Sequence, residues 1–261
     1  MKIITETQGT SEWLRARCGR ITASRMAEVM AVLKRKSGDK GPGEPAAARI
    51  NYCNELVTER LTGIANSHYV SRDMENGTFL EPIARAEYEV ATGCSVDLTG
   101  FIEHSRLPFS GASPDGLTIA NRGVEFKCPR PTTHIRWRLA GVVPEEHQPQ
   151  MLWTMACCDL DSMDFVSYSD GRQRDWEGKV IGGDMPEALR LFIVPLKRDD
   201  EKIARMEEEV ERLELQIQSA LEELGVAPHY WAREVAAPPI EDPLVRASML
   251  DDADLDRIIK L

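Results

Sequence analysis

The stretch Ser113-Pro114-Asp115-Gly116, followed nine residues after Gly116 by Glu125-Phe126-Lys127, decides how this chain is read. Glu125 and Lys127 stand at i and i+2, so on a strand both side chains leave the same face. Leu117-Thr118-Ile119 and Gly123 to Lys127 flank Ala120-Asn121-Arg122, the pattern of a β-hairpin. A hairpin returns Asp115, in its Ser-Pro-Asp-Gly turn, to the side of Glu125 and Lys127. Two carboxylates and the backbone carbonyl of Phe126 make a hard-oxygen set of the kind that suits Mg²⁺, which keeps waters free for a phosphate. Lys127 can hold or polarise an attacking water, and one or two ions would support an in-line displacement at phosphorus. A plain turn followed by a solvated strand face accounts for the same residues, because Pro and Gly serve turns generally and Asp…Glu-x-Lys recurs by chance.

Working outward, Trp13 to Cys18 reads as a short helix. Ile21 to Ser24 reads as a turn, with Ser24 capping a second helix through Met26, Val29 and Met30. Residues 33–46 are a Gly/Pro/Lys loop, and 47–62 a helix. From Thr78 to Ala91, Phe79, Ile83, Ala86 and Val90 have helical apolar spacing, Thr78 and Glu81 match a capping box, and Pro82 fits a first turn. Strands are expected at 95–98, 101–103, 107–112, 162–168 and 191–196, and a helix over 145–157 with Pro149 in its first turns. The alternation implies an α/β fold, a mixed sheet flanked by helices.

The expected organisation is a catalytic domain over 1–198, an acidic amphipathic helix over 199–225 and a Pro-containing acidic tail over 226–261. Ile203, Met206, Val210, Leu213, Ile217, Ala220 and Leu224 recur at helical spacing. Either a helix packed on its own domain or a short coiled coil fits that pattern. The tail carries four prolines and little apolar content of its own.

The formal charge of −11 is unevenly spread. Residues 199–261 hold 17 acids and 7 bases, whereas residues 1–50 hold 10 bases and 5 acids. With screening over ~8 Å, local patches rather than the total govern contact with a polyanion. No apolar run nears the ~18 residues of a membrane span, and the start has no signal-peptide core, so a cytoplasmic protein without membrane contact is expected. Six scattered cysteines without a C-x-x-C pair argue against a zinc ribbon and for reduced structural thiols. His104, His134 and His147 are too dispersed for a histidine-based metal cluster.

Four segments in order resemble one family. Ser113-Pro114-Asp115-Gly116-Leu117 with Glu125-Phe126-Lys127-Cys128-Pro129 resembles the core of the PD-(D/E)XK nucleases. More narrowly it is similar to the family of lambda exonuclease and the YqaJ-type viral recombinases. Trp13 to Ser24 resembles that family's W-x-x-x-R-x-G-x-I-T-A-S motif, Gly77 to Glu81 its G-x-x-x-E helix, and His147-Gln148-Pro149-Gln150 with Trp153 its Q-x-Q helix. The resemblance covers about residues 8–196; the acidic segment after 199 departs from it.

The resemblance implies a PD-(D/E)XK restriction-endonuclease-like core with an added C-terminal helix. It implies catalytic Asp115, Glu125 and Lys127, with Glu81 joining Asp115, Glu125 and the Phe126 carbonyl at the metal, Mg²⁺ or a substituting Mn²⁺. Arg17, Ser24 and Gln148 take positions that contact a terminal 5′-phosphate, and Met74 that of an apolar wedge between terminal base pairs. Ordinary alternatives stand beside these: Glu81 as a capping partner, Ser24 as a cap, Arg17 and Gln148 as solvated groups, Met74 as core. Arg25, Lys34, Arg35, Lys36, Lys40, Arg130, Arg136 and Arg138 are candidates for backbone contact. The implied activity is Mg²⁺-dependent 5′→3′ digestion of double-stranded DNA ends to mononucleotides, leaving a 3′ single strand. A homotrimer and a single-strand annealing protein are the implied partners. A structure- or sequence-specific endonuclease of the same fold, and a non-catalytic DNA-end-binding scaffold, are the alternatives.

Overall fold

A computed structural model describes residues 2–36, 38–65, 72–174 and 179–226. The chain opens with β1 (Lys2–Ile4), α1 (Ser11–Arg17) and β2 (Ile21–Thr22), followed by a single 3₁₀ turn, Ala23–Arg25, and the short α2 (Met26–Val29). Two long helices follow, α3 (Ala47–Thr62) and α4 (Arg72–Thr92). Next come β3 (Phe101–Glu103), β4 (Ser110–Ala112), β5 (Gly116–Thr118) and β6 (Arg122–Lys127). Helices α5 (Pro131–Ala140) and α6 (Gln148–Cys158) lead into β7 (Ser162–Tyr168). A ribbon of β8 (Arg172–Arg174) and β9 (Val180–Gly182) precedes α7 (Glu187–Arg190), β10 (Leu191–Lys197) and α8 (Asp200–Glu223).

Where one central sheet is expected, the described residues form two of four strands, ordered β1-β3-β4-β2 and β10-β7-β6-β5, both mixed. The chain steps from one to the other between β4 and β5, through Ser113-Pro114-Asp115. Pro114 has no N–H to continue a ladder, which is why the strand breaks at this point.

In the second sheet β5 and β6 form the expected hairpin, with Gly116 opposite Val124, and β7 runs parallel to β6 with Glu125 opposite Phe165. Alternation sorts the two faces. Val124, Phe126, Val166 and Tyr168 pack against Leu80, Ala84 and Tyr88 of α4. Met163 and Phe165 face the other way, into the larger core that α6 and α8 share. Glu125 and Lys127 belong by parity to this second face.

Helix α4 corrects the sequence reading twice. It begins at Arg72, so Thr78 and Glu81 are interior and make no cap, and Pro82 lies well inside the helix. The buried stripe is Leu80, Ala84 and Tyr88, whereas Phe79 and Val90 are 64% and 85% exposed. Both stripes have helical spacing; Tyr88 settles the choice, because its hydroxyl reaches buried Asp164 at 2.8 Å. Residues 95–98 contribute one bridge, Asp97 to Leu117, instead of a strand. Ser24 lies inside the 3₁₀ turn, and the residue that precedes α2 as its cap is Arg25, not Ser24. Helix α5 is absent from the sequence reading; Pro131 occupies its first turn, where its missing N–H costs nothing. The loop over 33–46 is pinned at its base by backbone bonds between Leu33 and Glu44 (2.8 Å) and Gly43 and Leu33 (2.9 Å).

Helix α8 follows its expected span. Its apolar face, Ile203, Met206, Val210, Leu213, Ile217 and Leu221, is fully part of the main core, packed with α3 and α6. Its acids are anchored there too. Glu214 makes a two-pronged pair with Arg60 (2.9 and 2.6 Å), Glu209 pairs with Arg49, and Glu207 meets His104 (3.2 Å) and Arg106. The tail over 227–261 lies outside the described residues.

The three histidines are structural. His134 bridges Ser167 Oγ and the Leu189 carbonyl, each at 2.8 Å, and His104 stacks on Trp153. His147 packs between Trp137 and Phe165. Burial is the first cause that lowers the pKa of each, and Lys127 helps bring His147 down to about 4. A lowered histidine pKa means the unfolded chain binds the extra proton more readily. Stability is then complete above pH ~6.5 and lost as pH falls towards 4. Urea titrations across that window should show His147→Phe less acid-sensitive than the parent by about 2 kcal/mol, allowing for partial exposure.

Candidate active site

The parity of β6 sends Glu125 and Lys127 under α6. Glu125 is 0% exposed, and its Oε1 accepts from Lys127 Nζ and from Gln150 Nε2, each at 2.6 Å. Asp115 is placed by the turn ahead of β5, and its Oδ2 accepts the Phe126 N–H at 2.8 Å. The hairpin therefore joins Asp115 to the Glu-x-Lys strand through the peptide between Glu125 and Phe126. Gly116 permits this fit: a Cβ there would lie 2.1 Å from Val96 Cγ1. Gly116→Ala should cost about 1–3 kcal/mol in chemical denaturation and shift Asp115 off its bond to Phe126.

The electrostatics call for a cation. Burial, then Glu125, with Glu81 adding to it, hold the Asp115 carboxyl well above the usual carboxylate range despite Lys127. Burial and Glu125 likewise raise Glu81. Burial opposes the Lys127 ammonium, but Glu125 and Asp115 outweigh it and keep the amine protonated above its ordinary value. Glu125 Oε2 is buried without a hydrogen-bond partner. An unsatisfied carboxylate oxygen beside a second carboxyl that resists ionising is a set a divalent ion would complete. Among the described residues no three His, Cys, Asp or Glu side chains form a metal-binding group. Asp115, Glu125 and Glu81 therefore do not meet as a three-carboxylate set in this structure.

A second constellation adjoins the first through Ser113. Its Oγ accepts from Trp13 Nε1 at 2.9 Å and from Arg17 Nη1 at 3.2 Å. Arg17 Nη2 donates to Ser24 Oγ at 3.2 Å, and the guanidinium lies over the Trp13 ring, 4.3 Å from its centroid. Among the described residues Arg17 is held by hydroxyls and an aromatic face, with no ion pair to a carboxylate. Such a guanidinium keeps its charge available to an anion.

Gln148 falls elsewhere: its Nε2 donates to the Val143 carbonyl at 3.0 Å, and Gln150 is the residue that meets Glu125. Two residues on a helix diverge by ~200°, so Gln148 and Gln150 of one helix cannot both face β6. Ser113, Trp13 and Gln150 lie within the motifs but carry no role there; the helical divergence is the available signal for Gln150. Met74 lies on α4, but its side chain is outside the described residues. Lys34, Arg35, Lys36 and Lys40 are exposed. Arg25 pairs with Glu28 and Glu55, and Arg138 holds the carbonyls of Leu191 and Ala188. Both are committed within the fold.

The frame is that of a class of mixed α/β proteins that includes known exonucleases. An alkaline exonuclease, LHK-Exo, from Laribacter hongkongensis is 36% identical, with a TM-score of 0.69 over 83% of this chain and 96% of that one. Its complex with dAMP matches at 37% identity and the same TM-score, covering 82% and 96%. A phage related exonuclease from Haemophilus somnus 129PT, 17% identical, shares the fold with a TM-score of 0.63 over 78% and 96%. Among curated proteins none matches. Residues 12–161 match the YqaJ-like viral recombinase domain, and the chain belongs to that family. The two four-stranded sheets with their helices are consistent with a PD-(D/E)XK-like core. Among the described residues no helix is long and apolar enough to cross a membrane.

Proposed function

We propose that the protein is a divalent-metal-dependent exonuclease that digests double-stranded DNA ends 5′→3′, releases mononucleotides and leaves a 3′ single strand for annealing. The observation that carries this reading is the adjacency, through Ser113-Pro114-Asp115, of a carboxylate–lysine cluster to an arginine–hydroxyl cluster. The first suits phosphodiester hydrolysis and the second a terminal phosphate. Family membership and the exonuclease relatives support the reaction class, and the relative complexed with dAMP supports a mononucleotide product.

Asp115, Glu125 and the Phe126 carbonyl would hold the metal, Mg²⁺ or Mn²⁺, with Glu81 nearby. When bound, such an ion stabilises charge on phosphate oxygens and supplies an acidified water. Lys127, whose ammonium Glu125 and Asp115 favour against burial, is placed to orient a water and to offset charge on the phosphorane. Gln150 orients Glu125 by holding Oε1, which leaves Oε2 for the ion. Arg17 supplies the charged fork for a 5′-phosphate, with Ser24 and Ser113 as hydroxyl donors and Trp13 fixing the guanidinium plane. The proposal extends to a homotrimer around DNA and a single-strand annealing protein as partner, and to Met74 as a wedge at the terminal pair.

Digestion of linear duplexes bearing 5′-phosphate or 5′-hydroxyl ends, with and without Mg²⁺, tests this directly. The expected result is metal-dependent release of mononucleotides, faster from 5′-phosphate, and no cutting of closed circles. Preference for 3′ ends, or nicking of closed circles, would overturn it.

A further inference from the structure

We propose that α8 and α3 position the anion pocket by gripping the backbone of one glycine in its loop, with Arg60 and Glu214 as positioning residues for 5′-end recognition. This rests on the reading of Arg17 and Ser24 as the terminal-phosphate pocket. Arg17 ends α1 and Ser24 lies in the 3₁₀ turn, with Gly19 in the connection between them. The backbone N–H and C=O of Gly19, on two successive peptide units, are held by consecutive residues of α3. Its N–H donates to Glu59 Oε2 at 2.7 Å, and its carbonyl accepts from Arg60 Nε at 2.8 Å.

The remaining guanidinium nitrogens of Arg60 go to Glu214 of α8, Nη1 to Oε1 at 2.9 Å and Nη2 to Oε2 at 2.6 Å. Gln218 Nε2 holds the same Glu214 Oε1 at 2.9 Å. The Arg60 and Glu214 side chains are 0% and 3% exposed, so the chain of contacts is shielded from salt and water. Gly19 adopts φ +71°, and a Cβ there would lie 2.8 Å from Arg60 Cγ. The glycine thus satisfies a left-handed backbone and a close approach at once.

Arg60 is more than a core ion pair for a geometric reason. A bidentate pair to Glu214 alone would need only Nη1 and Nη2. The third donor, Nε, is spent on the loop that carries Arg17 on one side and Ser24 on the other. A guanidinium has its donors in one rigid plane, so the orientation that α8 imposes through Glu214 is passed to the Gly19 carbonyl without slack. The acidic helix outside the family resemblance therefore reaches the pocket through one side chain.

The test compares steady-state digestion of 5′-phosphorylated and 5′-hydroxyl linear duplex by the full chain and by Glu214→Gln, Arg60→Lys and Glu59→Ala. The expected result is a KM for 5′-phosphorylated ends raised roughly five- to tenfold, kcat within about twofold, and little change for 5′-hydroxyl ends. Glu209→Gln, which loosens the other α8–α3 pair away from Gly19, should lower stability and leave the end preference intact. If Glu214→Gln does not fold, Glu59→Ala, half-buried and at the N–H of the same glycine, reads the same effect. A parent protein that discriminates between ends, with every folded variant keeping its discrimination, overturns the inference alone. A parent that does not discriminate overturns the pocket and the inference with it.

Discussion

Asp115→Asn should abolish digestion, by on the order of 10³-fold or more, and at the same time make the metal-free protein more stable. Asparagine keeps an oxygen to accept the Phe126 N–H, so the hairpin retains its tie. It removes a carboxyl that burial and the charges of Glu125 and Glu81 press to stay neutral. For an acid whose folded pKa is raised, the fold loses stability as pH climbs from the usual carboxylate range towards the raised value. Each ~1 kcal/mol of such relief corresponds to a gain of about 2–4 °C for a chain of this size. Thermal melts of parent and variant in chelator, repeated with Mg²⁺ titrated in, check both halves. Mg²⁺ should raise the melting temperature of the parent and leave the variant nearly unmoved. A variant that is less stable in chelator would show that Asp115 is held for structure and not for an ion.

Deleting α8 by ending the chain at Lys197 should leave no folded protein. Six fully buried apolar side chains of α8 contribute ~1.5–3 kcal/mol each, a sum comparable with the whole ~5–15 kcal/mol that holds a domain together. The deletion also leaves Arg60 and Arg49 buried without their glutamates, and breaking one buried pair costs ~3–5 kcal/mol by itself. Circular dichroism and urea titration would show loss of cooperative unfolding. A shortened chain that melts cooperatively and still digests duplex ends would establish α8 as an appendage.

These two expectations show what the sequence could and could not convey. The hairpin was legible because Glu125-x-Lys127 and the Ala120-Asn121-Arg122 turn are local: strand parity and turn chemistry need no distant partner. The α8 stripe was legible as helical, but the target of its acids was not. Net charge counts Glu207, Glu209 and Glu214 as repulsive to DNA, whereas their carboxylates are consumed by Arg106, His104, Arg49 and Arg60 from up to 160 residues away. On α4 two apolar stripes competed, and only Asp164, 76 residues distant from Tyr88, decides which is buried. The site followed the same rule. Asp115, Glu125 and Lys127 share one hairpin and were found. Gln150 has no role legible from sequence, because a two-residue offset on a helix selects one glutamine only when the facing strand is known. Ser113 was read as part of a turn, since nothing local marks its hydroxyl as a meeting point for Trp13 and Arg17.

That hydroxyl carries a further consequence. Ser113 and Asp115 are separated by one proline, a span of no more than ~7 Å of backbone that cannot lengthen. On the proposed reading, the group that marks where a strand begins and the group that marks where it is cut are two graduations on one short ruler. Such a spacing would suit a single nucleotide step. Step size in this protein would then be a property of covalent geometry. It would persist when affinity, metal or salt is varied, while rate and processivity change freely around it.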